Sequence, residues 1–140
     1  MYEKIGSCAA LLLVGYLSAW DIRTRKLPAL PLLLFGALAV LYVAAGGRAA
    51  PLYFAGCMLP GMALLLLSVL TGERIGYGDG AVLLVIGLWV GSIFCTIAAC
   101  ISIFLTGLYA VCLLLTGRRG ECIPFMPFLL AAMEVILLYE

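Results

Sequence analysis

Six apolar runs, divided by short polar or glycine-rich breaks, leave this chain one suitable solvent, the lipid bilayer. The runs lie at roughly 5 to 20, 28 to 46, 51 to 70, 80 to 91, 93 to 115 and 123 to 139, and apolar stretches of about 20 residues read as spanning helices. The 140 residues are 66% hydrophobic and 11% charged, whereas a soluble domain carries about a quarter charged residues. The expected fold is all-α: a polytopic membrane protein with six transmembrane helices, in a single domain over residues 1–140.

The fourth and fifth runs are continuous from Gly80 to Thr116. As one helix they would reach about 55 Å, too long for a single crossing, so a turn is expected near Gly91-Ser92. The fourth span is then only about 12 residues and is expected to start or end within the membrane thickness. Pro28, Pro31, Pro51, Pro124 and Pro127 fall at or near the start of a run, where a missing N–H does no harm. Pro60 lies inside the third run and predicts a kink there.

The few charges sit between the runs. With the N-terminus outside, Arg23, Arg25, Lys26, Arg74, Arg118 and Arg119 face the cytoplasm against Lys4 and Arg48 outside, which satisfies the positive-inside rule and puts the C-terminus outside as well. The same basic cluster after the first run argues against removal of residues 1–19 as a secretory signal, despite the passable pattern Leu17-Ser18-Ala19. A net charge of +1 suggests no nucleic-acid partner. The six cysteines include no C-x-x-C pair and the chain has no histidine, so they read as small packing residues rather than metal ligands, with Cys122, in a polar loop, as the possible exception. No metal or cofactor is implied.

Two acids stand apart from the loop charges. Asp79 lies in Gly76-Tyr77-Gly78-Asp79-Gly80, a glycine-rich break between apolar segments, and Asp21 closes the first run. The orientation above brings both to the cytoplasmic membrane surface. Ionisable groups in such surroundings are costly and mark function. Two carboxylates a few ångströms apart share a proton, because like charges push one pKa upward. The ionised one can take a proton from water while the protonated one polarises a scissile carbonyl, which is the equipment of an aspartyl protease. Gly76, Gly78 and Gly80, free of Cβ atoms, can take positive φ and let a substrate backbone come close. A nucleotide-loop reading fails, because G-x-G-x-x-G is absent.

Taken together, Asp21 followed by basic residues and Leu27-Pro28, Leu70-Thr71-Gly72 leading to Gly76-Tyr77-Gly78-Asp79, and Ile123-Pro124-Phe125-Met126-Pro127-Phe128-Leu129 at the last run resemble the type IV prepilin leader peptidases, membrane aspartyl proteases of the Gly-x-Gly-Asp class. The resemblance runs through the whole chain in order. It implies removal of a short basic leader from prepilin or pseudopilin precursors, at the cytoplasmic face of the bacterial inner membrane. Asp21 and Asp79 match the family's catalytic aspartates, and Gly76 and Gly78 its glycines. Larger members add an N-methyltransferase region with a tetracysteine zinc site, to which nothing here corresponds, so the chain resembles the short peptidase-only forms that serve tight-adherence (Flp) pili. Leu27, Ala29 and Gly80-Ala81 depart from the usual residues at their positions.

Two other readings stay open at this point. In a small proton- or cation-coupled transporter, Asp79 and Glu134 would bind the coupling ion, and Glu134, inside the last run, is expected to face a cavity or another chain. In a non-catalytic pilus or secretion assembly subunit the helices would only bind. Glu73, Arg74 and Glu121 read as interfacial loop charges. Trp20, Tyr53, Tyr139 and Tyr2 fit an interfacial belt, and Trp20 is placed to shield Asp21.

Overall fold

The computed structural model describes residues 2–24, 28–46, 51–70, 76–117 and 123–139. They form α1 (Tyr2–Thr24), α2 (Ala29–Ala45), α3 (Pro51–Leu70), α4 (Tyr77–Val90), α5 (Ser92–Leu115) and α6 (Met126–Tyr139), with no strand among the described residues. The connecting residues Arg25, Lys26, Arg48, Glu73, Arg74, Arg118, Arg119, Glu121 and Cys122, on which the expected orientation and loop roles rest, lie outside the described residues.

Lys4–Thr24, Leu52–Leu70 and Ser92–Leu115 are long and apolar enough to cross a membrane, while α2, α4 and α6 are apolar but shorter. Large apolar side chains such as Leu12, Leu33, Leu66, Phe104 and Leu115 point outward. Lipid, not water, is the solvent that accepts such a surface. The chain is a membrane protein.

Local chemistry sets the helix limits. Pro28 caps α2 at φ −71°, and Pro51 opens α3. The break expected between the fourth and fifth runs falls at Gly91, whose φ of +88° is a conformation that favours glycine. The helix α3 continues through Pro60, whose ring is buried. The first run extends further than expected, so that α1 continues past Asp21 to Thr24.

The centre of the bundle is α4, packed against α1, α2, α3 and α5. Its Gly80, Val82, Leu83, Ile86, Gly87 and Leu88 are buried, as befits a helix apolar on every side. On α3 the buried positions Cys57, Pro60, Gly61, Leu64 and Ser68 repeat every three or four residues and face it. The two helices run antiparallel in close contact: a Cβ on Gly80 would meet Leu65, one on Gly61 would meet the Leu84 backbone, and one on Gly87 would collide with the Cys57 carbonyl oxygen.

Side-chain pairs fix the direction of the other helices. Gly6, near the start of α1, lies against Trp89 and Tyr42, near the ends of α4 and α2. The rings of Tyr42 and Trp89 are 4.9 Å apart, and the Trp89 indole N–H donates to the Phe35 carbonyl at 3.3 Å. Near the other end, Tyr109 of α5 meets Phe128 of α6 at 5.5 Å. The helices therefore alternate in direction. The ends of α1, α3 and α5 gather with the starts of α2, α4 and α6.

Candidate active site

Both aspartates of the chain come to that gathered end, each for a sequence-level reason. On α1, Gly6, Ala10, Leu13, Val14, Leu17 and Ser18 form a buried stripe with helical spacing. Asp21 is its next member, half-buried, so packing of the stripe turns its side chain inward. Asp79 lies on the first turn of α4, where its N–H donates to the Gly76 carbonyl at 3.1 Å. A helix N-terminus is a favourable place for an acid. The two carboxyl groups are close enough for the charge of Asp21 to bear on Asp79.

A third element completes the cluster. The backbone N–H of Met126, first residue of α6, donates toward the Asp21 carboxylate. Asp21 thus leaves the C-terminal end of one helix and faces the N-terminal end of another. Asp79 precedes the fourth apolar run, outside the three long spans. Burial, together with the Asp21 charge, pushes its carboxyl up to about 7, since desolvation disfavours the ionised form.

The glycines divide by role. Gly76 is exposed and extended at φ −64°, and a Cβ built on it would lie 3.4 Å from Asp79 Oδ2. Gly78 is half-buried within the first turn. Gly80 is buried against Leu65. The positive φ open to these three is not used: among the described residues it occurs at Gly91 and Gly117. The physical reason is that Tyr77–Val90 starts earlier than the apolar run and absorbs Gly78 and Gly80 into regular helix.

Trp20 does not cover the site, because it stacks on Tyr16 with centroids 6.0 Å apart, and both rings are exposed. Glu134 is exposed on α6, facing neither the bundle interior nor Asp79. Among the described residues, no three His, Cys, Asp or Glu side chains are grouped as a metal site. Polar features missed in the sequence include the Met126 N–H and the buried Ser18 and Ser68. The serines sit on the apolar stripes of α1 and α3, where helical spacing alone marks them as buried.

A helical membrane protein with two aspartates gathered at one end of the bundle is the class this arrangement defines. Residues 8–111 match the model of the type IV leader peptidase family, and the chain belongs to that family. It is therefore a prepilin peptidase, an aspartic-type hydrolase. The match includes Asp21 and Asp79 and ends before α6. No curated protein gives a significant match. No solved structure does either.

Proposed function

We propose that Asp21 and Asp79 are the catalytic pair of an endopeptidase that removes the basic leader from type IV prepilins or pseudopilins of the Flp kind. The observation that carries this reading is the convergence of the chain's two aspartates, from α1 and α4, at one end of the bundle. The enzyme works at the cytoplasmic face of the bacterial inner membrane, and its six helices each cross or enter the bilayer with both termini outside. Residues 1–140 act as a single peptidase domain.

In this mechanism the pair holds one proton. The ionised carboxylate takes a proton from water as the oxygen attacks the scissile carbonyl, and the protonated one donates to the carbonyl oxygen. Collapse of the tetrahedral intermediate breaks the C–N bond, and the leaving amine takes the proton gained from water. Gly76 and Gly78 leave the acid open to an extended substrate backbone. The substrate's basic leader stays on the cytoplasmic side while its apolar segment lies in the membrane.

The test is co-expression with candidate prepilins, following leader removal by mass for the native chain, Asp21→Asn and Asp79→Asn. Cleavage should be lost in both variants at equal membrane abundance. Undiminished cleavage by either variant would sink the pair.

A further inference from the structure

Glu134 is the only charged residue of α6, and it takes no part in the aspartate site. Its depth follows from a pair of rings. Phe128 of α6 meets Tyr109 of α5 at 5.5 Å, and the two helices run antiparallel. Glu134, six residues beyond Phe128, is therefore level with about residue 103 of α5. That is near the middle of the 24-residue span Ser92–Leu115. The side chains of α5 at this level, Ile103 and Phe104, are exposed and apolar. Glu134 thus stands at mid-depth on the surface that lipid covers.

An ionisable group at that depth is costly, and ordinarily turns to the bundle interior, to a cavity or to a partner group. Glu134 turns away from its own bundle, since the buried face of α6 is made by Met126, Leu129, Ala132 and Met133. Its carboxyl has no hydrogen bond or ion pair among the described residues. Ala131, Val135 and Leu138 are exposed with it, at the i, i+3, i+4 and i+7 spacing of one helix face. The face carries what helix contacts in lipid use: a small residue that lets backbones approach, one turn from a polar group able to hydrogen-bond across the contact.

We propose that this face of α6 is the interface of a homodimer, in which two copies pack α6 against α6 about a two-fold axis along the membrane normal and the two Glu134 carboxyls hydrogen-bond to each other. Complementarity selects a second copy as the occupant. A carboxyl accepts hydrogen bonds and, when it carries a proton, donates one. It is therefore self-complementary, as a group beside a two-fold axis must be. Two copies inserted in the same direction bring Glu134 to Glu134 at one depth. The basic residues of the described helices, Lys4 and Arg23, lie near the two ends of α1, away from that level. Each copy keeps its own Asp21 and Asp79, so the dimer does not depend on their role.

The experiment measures Förster transfer between donor-labelled and acceptor-labelled copies of the full chain in phosphatidylcholine vesicles, as the ratio of lipid to protein is raised. The native chain should associate, and Glu134→Leu should weaken association by roughly tenfold. Glu134→Gln, whose amide also donates and accepts, should stay close to native. Ala131→Leu keeps the acid but holds the backbones apart, and should weaken association too. Phe104→Leu, at the same depth on α5, should leave it unchanged. All three positions are exposed, so the fold of the single copy is kept.

A native chain that stays monomeric at every lipid ratio would overturn the inference, and would turn the search for the partner of Glu134 to a helix of another protein. Native-like association of Glu134→Leu would also overturn it, as would a loss in Glu134→Gln equal to that in Glu134→Leu.

Discussion

Gly76 lies beside the Asp79 carboxyl, so closely that a Cβ on the glycine would touch Oδ2 at 3.4 Å. That is ordinary van der Waals contact, not a collision, and Gly76 is exposed. A methyl group there would fit the fold but take up the space through which, in the proposed mechanism, water and a peptide backbone reach the acid. Gly76→Ala should therefore melt with the native chain in detergent, yet show kcat/KM for leader cleavage lowered about tenfold, or ~1.4 kcal/mol of transition-state stabilisation. Native-like cleavage would mean that the substrate approaches from another side.

The raised pKa of Asp79 has consequences for both activity and stability. Above about 7 the proposed pair would lose its shared proton, so the rate should fall through the alkaline limb as pH rises. For stability, the unfolded carboxyl ionises near 3.8 while the folded one keeps its proton to about 7. The fold therefore weakens as pH rises between these values and then levels off, by at most about 4 kcal/mol. Asp79→Asn should abolish cleavage and yet melt higher than the native chain at pH 8, with a melting temperature less dependent on pH over this range. A lower melting temperature for the variant at pH 8 would contradict the burial assigned to Asp79.

Much of this architecture was legible because membrane helices declare themselves by length and apolarity. The turn at Gly91 followed from an apolar stretch too long for one crossing, and the prolines at 28 and 51 open their helices as their missing N–H groups require. The two aspartates stood out because little else in the chain is charged. What sequence pattern could not give was the partner across space. Gly76 and Gly80 look alike in a motif, but only packing of α4 against α3 assigns one to the carboxyl and the other to Leu65. The Met126 donor was equally hidden, since a backbone N–H has no residue type of its own. Trp20, adjacent to Asp21 in sequence, points elsewhere, because neighbours on a helix do not share a face.

The glycines of the α3–α4 contact should differ in their tolerance of alanine. At Gly80 the added carbon would meet the Leu65 side chain at 2.6 Å and its backbone N at 3.1 Å, whereas at Gly87 it would run into the Cys57 carbonyl oxygen. A side chain can move aside, but helix backbone cannot move without shifting the helix. Gly87→Ala should destabilise by about 1–3 kcal/mol, and Gly80→Ala by less. Gly80→Ala should nevertheless disturb cleavage more per unit of lost stability, because a shift at residue 80 acts on the adjacent Asp79. Thermal melts in detergent paired with cleavage rates check both orders.

Glu134 offers the sharpest contrast between a peptidase and an ion-coupled transporter. A transporter using Asp79 and Glu134 needs both acids to face one cavity. Instead Glu134 is exposed on α6, eight residues beyond Met126 and so about 12 Å along the helix from the donor to Asp21. Glu134→Gln keeps the size of the side chain and removes its charge. Leader cleavage should stay within twofold of the native rate at equal membrane abundance, with both limbs of the pH profile in place. Loss of cleavage in this variant would show that the outer face of α6 takes part in the reaction, and would reopen the role of an acid that the geometry sets apart from the aspartate pair.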